Sequence, residues 1–239
     1  MKGRIAFLVE KISIMQPNVI ISVSAHTTNA LHAMLGTSAK EIITIPNGVD
    51  IETIEKSPIS DKTSDIVFAG RLLPHKNVDA LLRALQHIQK QKPNISTIII
   101  GDGPEKERLE KISLELGLEK NVSFLGFLPD HVEVYGVLKA SRVFVLPSVR
   151  EGFGITVVEA NACGLPVVTI DSEHNAAKDL IDPRGNGMLA SLNSEVLASA
   201  IMVFLDARKE QDRYKRYAER YNWNSLVGDI TALYRKTYE

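Results

Sequence analysis

Val143-Phe144-Val145-Leu146-Pro147-Ser148-Val149-Arg150-Glu151-Gly152-Phe153-Gly154-Ile155-Thr156 is the stretch on which the fold turns. Its first four residues form an unpatterned apolar run ended by Pro147, as in a strand covered on both faces. The glycines either side of Phe153 permit a tight turn and a close backbone approach. A helix is then expected from about Gly154 to Gly164, a glycine of the kind that stops a helix at its C′ position. Val167–Ile170 follows as a second buried strand. Parallel strands need such a crossover, and a helix is its usual form.

The same alternation runs outward in both directions. Val19–Val23, Ile42–Ile45, Ile66–Ala69, Thr97–Ile100 and Val122–Phe124 read as further buried strands ended by Gly, Pro or Ser. Between them, Val78, Leu81, Leu82, Leu85 and Ile88 share one helical face, as do Leu109, Ile112 and Leu116. Strand and helix in regular succession predict a doubly wound parallel α/β sheet. Residues 55–64 (EKSPISDKTS) hold no large apolar residue except Ile59, which predicts a linker over 51–64. The main domain then spans 65–222, with a last helix over 223–239 carrying Leu226, Ile230 and Leu233 on one face.

At 239 residues the chain corresponds to roughly one and a half domains. With 28 basic and 29 acidic residues it has a formal charge of −1, so no nucleic-acid footprint is expected. A 44% hydrophobic, 24% charged composition excludes a disordered chain and a disulfide scaffold. The lone Cys163 fits a reducing, cytoplasmic setting. The opening MKGRIAFLVEKI has too short an apolar run for a signal peptide, and no stretch approaches the roughly 18 apolar residues of a spanning helix.

In a doubly wound sheet ligands sit beyond the carboxyl ends of the strands. After Ile66–Ala69 come Gly70 and Arg71, with Lys76 five residues later. Two cations there suit an anion such as a diphosphate, although either alone is an ordinary surface charge. The helix opening at Gly154 presents unpaired amides and a positive dipole end, which favour phosphate oxygens. Glu151 precedes that helix and Glu159 lies about five residues into it, ~7–8 Å along the axis at ~1.5 Å per residue. Carboxylates so spaced cannot share a proton, but they can hold hydroxyls on two parts of one elongated ligand. There is no P-loop, no complete G-x-G-x-x-G, no nucleophile-elbow serine and no Asp-x-Asp pair, so no metal site is expected. The histidines, among them His26, His75, His131 and His174, are scattered.

Taken in order, several segments resemble the retaining glycosyltransferases of family four, the group-one glycosyltransferases of the GT-B fold. They are Ile45-Pro46-Asn47-Gly48-Val49-Asp50, Phe68-Ala69-Gly70-Arg71-Leu72 with Lys76-Asn77, Gly101-Asp102-Gly103-Pro104, Val122-Ser123-Phe124-Leu125-Gly126, and EGFGITVVE (151–159) continued by ANACGLPVV. The resemblance runs from Val19 to the C-terminus. It implies a Rossmann-like domain that binds a nucleotide-diphosphate sugar as substrate, with no cofactor, no obligatory metal, and transfer with retention. Arg71 and Lys76 would then grip the diphosphate beside Gly70, the backbone amides of Gly154, Ile155 and Thr156 would meet the phosphates, and Gly152 and Phe153 would belong to the same donor site. Glu159 would bind the ribose hydroxyls, Glu151 the hydroxyls of the transferred sugar, and Phe127 and Leu128 would lie against the base. Glu151, Arg71 and Lys76 are the catalytic candidates.

The departure is at the front. Family members carry a full N-terminal Rossmann-like domain, whereas residues 1–50 hold only a helix, a strand, a helix and a strand, the remnant expected of its end. Two readings follow. One is a glycosyltransferase whose acceptor (sugar, lipid or protein) is recognised elsewhere, with peripheral membrane association left open. The other is a non-catalytic truncated or split subunit that binds nucleotide-sugar and docks a separate N-terminal partner or a second copy. Either way the last helix is expected to expose Leu226, Ile230 and Leu233 unless another chain covers them. A phosphorylase is disfavoured, since no pyridoxal-binding lysine motif is found.

Overall fold

The computed structural model describes Val9 and residues 12–36, 41–208 and 210–238. Among the described residues there are two parallel sheets. The smaller joins β1 (Val19–Ser22) to β2 (Glu41–Thr44), with α1 (Ala25–Leu35) between them in the chain. Ser24 caps α1 by accepting from the Thr27 amide at 3.1 Å. Val9 and residues 12–15 are helical, and the rest of the helix expected before β1 lies outside the described residues.

The larger sheet comprises β3 (Ile66–Ala69), β4 (Thr97–Ile100), β5 (Val122–Gly126), β6 (Val143–Leu146), β7 (Val167–Ile170) and β8 (Gly187–Ala190). Its order is β5-β4-β3-β6-β7-β8, all parallel. Every residue of β3, β4, β6 and β7 is buried, which is why their sequences are apolar without alternation. The edge strands β5 and β8 are only half covered. No β8 is expected from the sequence, because Gly-Met-Leu-Ala has no β-branched residue and too few positions to show a period.

Winding proceeds from β3 outward to β5 on one side and from β6 outward to β8 on the other. The order therefore reverses between β3 and β6, where Ile66 pairs with Val143 and Val67 with Phe144. A crevice is forced at that point, because the two connections leave in opposite directions.

Helices α3 (Val78–Gln89), α4 (Lys106–Glu115), α5 (His131–Lys139), α6 (Ile155–Ala162) and α7 (Ser194–Asp206) cover the sheet. The face expected of α3 is the one that is buried, at 0–2% exposure for Val78, Leu81, Leu82, Leu85 and Ile88. Of the α4 face, Leu109 is buried and Ile112 and Leu116 are partly buried against the core.

The segment expected as a linker over 51–64 opens instead with helix α2 (Ile51–Lys56), in which Ile51 and Ile54 are buried in the main core. Three positions apart, they share one helical face, a pattern masked by the neighbouring charges. The stretch after it is strapped to α5: Lys139 Nζ donates to the Glu55 and Ser57 carbonyls at 3.0 and 2.7 Å, and the Ser60 amide to the Gly136 carbonyl at 3.1 Å. Ile59, the large apolar residue of the stretch, is exposed, as are Pro58 and residues 61–63.

At the C-terminus α8 (Gln211–Ala218) leads to α9 (Trp223–Tyr238). The expectation that α9 exposes Leu226, Ile230 and Leu233 is corrected in part: Leu226 is buried and Ile230 and Leu233 are partly covered, while Trp223 and Tyr234 stay exposed. The reason is a return of the chain onto Val49, whose amide donates to the Tyr221 carbonyl at 2.8 Å and whose carbonyl accepts from the Trp223 amide at 3.0 Å. No described helix is long and apolar enough to cross a membrane.

Candidate functional site

A cavity of about 430 Å³ opens at the strand-order reversal. Gly70 and Arg71 enter it from the end of β3, Asp102 from the end of β4, and Phe127 and Leu128 from the loop after β5. His131 and Val134 of α5 line one wall, and Thr156 and Glu159 of α6 another. Six of the residues singled out from sequence (Gly70, Arg71, Phe127, Leu128, Thr156 and Glu159) are thus brought to one space. The loops after β3 and β4 meet there because Gly101 has no side chain: a Cβ at Gly101 would stand 1.9 Å from the Gly70 carbonyl oxygen.

Lys76 and Glu151 stand beside this cavity rather than in its lining. Lys76 ends a short turn of helix, Pro74–Lys76, and its Nζ lies 2.6 Å from Glu151 Oε1. Both side chains are largely buried, at 16% and 13% exposure. The loop bearing Glu151 is held from several sides. Its amide donates to the His174 carbonyl at 3.1 Å, and its carbonyl accepts from the Ala176 amide at 3.0 Å. One residue on, the Gly152 carbonyl accepts from Ser24 Oγ at 2.8 Å and Thr27 Oγ1 at 3.3 Å. The first turn of α1 therefore touches the loop that precedes α6.

Gly154 begins α6 in the left-handed region at φ 90°, and a Cβ there would lie 2.4 Å from the Ala177 Cβ. The Ile155 and Thr156 amides that follow belong to the first helical turn, where no intrahelical carbonyl is available to them. Phe153 is not available as a ligand-facing side chain. It is buried in the core and meets the Tyr221 ring edge-on at 5.9 Å, which leaves only its backbone at the site. Ile155 is exposed.

The charges around the cavity are unevenly matched. Arg71 is exposed and makes no ion pair among the described residues. Burial, then the nearby Lys76 and Arg150 charges, hold the His75 imidazole below its usual value, with Glu151 opposing. Glu159 behaves oppositely. Burial pushes its carboxyl up, opposed by a hydrogen bond from Tyr135 and by the charge of His131. Tyr135 Oη donates to Glu159 Oε1 at 3.1 Å.

Asp102 enters the sequence reading only within the Gly101–Pro104 segment, and Tyr135 and His131 are site residues that it does not single out. The one signal of these two is positional: His131 and Tyr135 lie four apart, one above the other on α5, and their rings are 6.3 Å apart. Among the described residues no cluster of three His, Cys, Asp or Glu side chains could hold a metal.

A parallel sheet whose order reverses over a crevice lined by a carboxylate, a guanidinium and helix-start amides defines an α/β ligand-binding domain. Residues 49–221 match the family Glycosyl transferases group 1, and the chain belongs to that family. It is 33% identical over 223 residues to the phosphatidylinositol N-acetylglucosaminyltransferase gpi3 subunit of Schizosaccharomyces pombe, covering 90% of this chain and 48% of that protein. It is 28% identical over 206 residues to a GDP-mannose-dependent alpha-(1-6)-phosphatidylinositol dimannoside mannosyltransferase of Mycobacterium tuberculosis, covering 81% and 52%. Among solved structures, the sucrose-phosphate synthase of Thermosynechococcus elongatus superposes with a TM-score of 0.84 over 97% of this chain and 61% of that one, at 24% identity, a likeness of fold. The chain spans about half the length of the curated relatives it matches.

Proposed function

We propose that the chain carries the donor site of a glycosyltransferase that moves a sugar from a nucleoside diphosphate to an acceptor hydroxyl with retention. The observation that carries this reading is the single cavity gathering Arg71, Phe127, Leu128, Thr156 and Glu159 from separate elements, with the Lys76–Glu151 pair at its side. Such a ligand needs a flat apolar seat, an acceptor for vicinal hydroxyls and a cationic end. Phe127 and Leu128 provide the first and Glu159 the second. The third falls to Arg71, Lys76 and the amides of Gly154, Ile155 and Thr156, which would neutralise the departing diphosphate. Glu151, its one oxygen engaged by Lys76, would turn the other to the transferred sugar.

Calorimetric titration of the purified chain with uridine, guanosine and adenosine diphosphates tests this. Binding in the millimolar range or tighter is expected, with Lys76→Ala and Glu159→Ala each weakening it at least tenfold. Absence of binding at millimolar concentration, or wild-type affinity in both variants, would overturn the reading.

A second reading concerns the acceptor side. A two-stranded sheet such as β1–β2 is marginal alone, and Ile21 on β1 is exposed. That favours its completion by further polypeptide, as part of the same protein or as a separate N-terminal partner, which would orient the acceptor. Since orientation supplies much of the rate, weak or undetectable transfer is expected from the chain alone. Efficient acceptor glycosylation by the purified chain would refute this.

A further inference from the structure

We propose that Tyr135 is a positioning residue for Glu159: its phenol engages one carboxylate oxygen and aims the other at vicinal hydroxyls of the ligand, so that α5 takes part in reading the ribose. The inference rests on the donor-site reading above.

Glu159 is a long side chain with several free torsions, on a wall of the cavity. Among the described residues its carboxylate makes one hydrogen bond, to Tyr135 Oη at 3.1 Å. Oε1 is thus tied, and Oε2 is left without a protein partner. A carboxylate held in this way has lost most of its freedom before the ligand arrives, so less entropy is lost on binding. The Tyr135 hydroxyl is suited to the task because burial, and then the Glu159 charge, keep it protonated far above neutral pH. It is a donor at every pH the protein meets.

Tyr135 is itself fixed. Its side chain is buried, at 8% exposure, and α5 is anchored at both ends. Asp130 caps the start by accepting from the Val132 amide at 2.8 Å. Behind the helix, Gly136 lies so close to the 57–60 strap that a Cβ would stand 2.8 Å from the Pro58 carbonyl oxygen. Lys139 holds the far end through the Glu55 and Ser57 carbonyls. Nothing in this arrangement requires a hydroxyl for packing, since a phenylalanine ring would fill the same volume. Among the described residues the oxygen hydrogen-bonds only to Glu159.

The test compares uridine and guanosine diphosphates with their 2′,3′-dideoxy analogues on the wild-type chain, Tyr135→Phe and Glu159→Gln. Tyr135→Phe is expected to weaken the ribonucleotides about 3–10-fold, the worth of one hydrogen bond, and to leave the dideoxy analogues within about twofold. It is also expected to move the acid limb of ribonucleotide binding to higher pH, because the Tyr135 bond and His131 are what oppose the rise of the Glu159 carboxyl. Circular dichroism melts establish that the variant is folded. An equal loss for ribose and dideoxy ligands would show a packing role and overturn the inference, as would unchanged discrimination together with an unchanged pH limb. If Glu159→Gln keeps full discrimination between ribose and dideoxy ligands, the ribose-binding reading of Glu159 itself fails. If Glu159→Gln loses it and Tyr135→Phe does not, only the role of Tyr135 fails.

Discussion

Lys76 Nζ and Glu151 Oε1 stand 2.6 Å apart, joining the turn after β3 to the loop after β6 across the point where the strand order reverses. The two residues are 75 positions apart in the chain. Their pairing satisfies two charges that would otherwise be costly at 16% and 13% exposure.

Removing either partner leaves the other largely buried and alone. Lys76→Ala and Glu151→Ala are each expected to lower unfolding free energy by about 1–3 kcal/mol. The double variant should lose less than the sum by at least ~1 kcal/mol, since the second removal abolishes an unpaired charge. Urea denaturation of the three variants measures this, and strict additivity would show that the pair contributes no coupling.

Glu159 illustrates a site residue that works against stability. Its carboxyl is raised by burial, so the folded state binds a proton that the unfolded state releases more readily. The wild-type chain therefore loses stability relative to Glu159→Gln as pH rises from the ordinary carboxylate range through the raised folded value. Above it, the variant is expected to melt about 1–3 °C higher, with the gap closing in acid. Melting curves at pH 4.5 and 8 check the sign.

Gly154→Ala is expected to cost about 2–4 kcal/mol, from a left-handed backbone and from a Cβ that would meet Ala177. Because the start of α6 must shift, nucleoside diphosphate affinity should fall with it. Gly117→Ala has a positive φ of 68° but open space around it. It separates the two effects, with an expected cost of about 1 kcal/mol and unchanged binding.

Cys163 is buried, and that burial pushes its thiol up to about 12. Native protein is expected to resist iodoacetamide at pH 8 and to be alkylated only as it unfolds. Alkylation rates followed across a urea series should therefore track unfolding, and rapid labelling without denaturant would contradict the burial.

The central strands could be read from sequence because full burial on both faces demands continuous apolar runs, as in Ile66–Ala69 and Val143–Leu146. Arg71, Glu151 and Glu159 were legible as candidates because residues after strand ends, or at a helix start, have positions set by local geometry. Tyr135 and His131 were not, since a tyrosine and a histidine on an amphipathic helix look the same whether they face the core or a cavity. Strand β8 was illegible because half-covered edge residues carry no strong pattern. Phe153, counted among the donor-site residues, instead packs its ring edge-on against Tyr221, 68 residues along the chain.

By itself, then, the sequence determined the alternation of strand and helix, the parallel sheet and the loops able to carry a ligand. Those follow from periodicity, glycine placement and helix ends, all of which act over a few residues. Tertiary structure alone decided the strand order β5-β4-β3-β6-β7-β8, the pairing of Lys76 with Glu151 and the hold of Tyr135 on Glu159. These depend on which distant segments share the space at the β3–β6 reversal, and contacts between distant segments leave no period in the chain for a local reading to find.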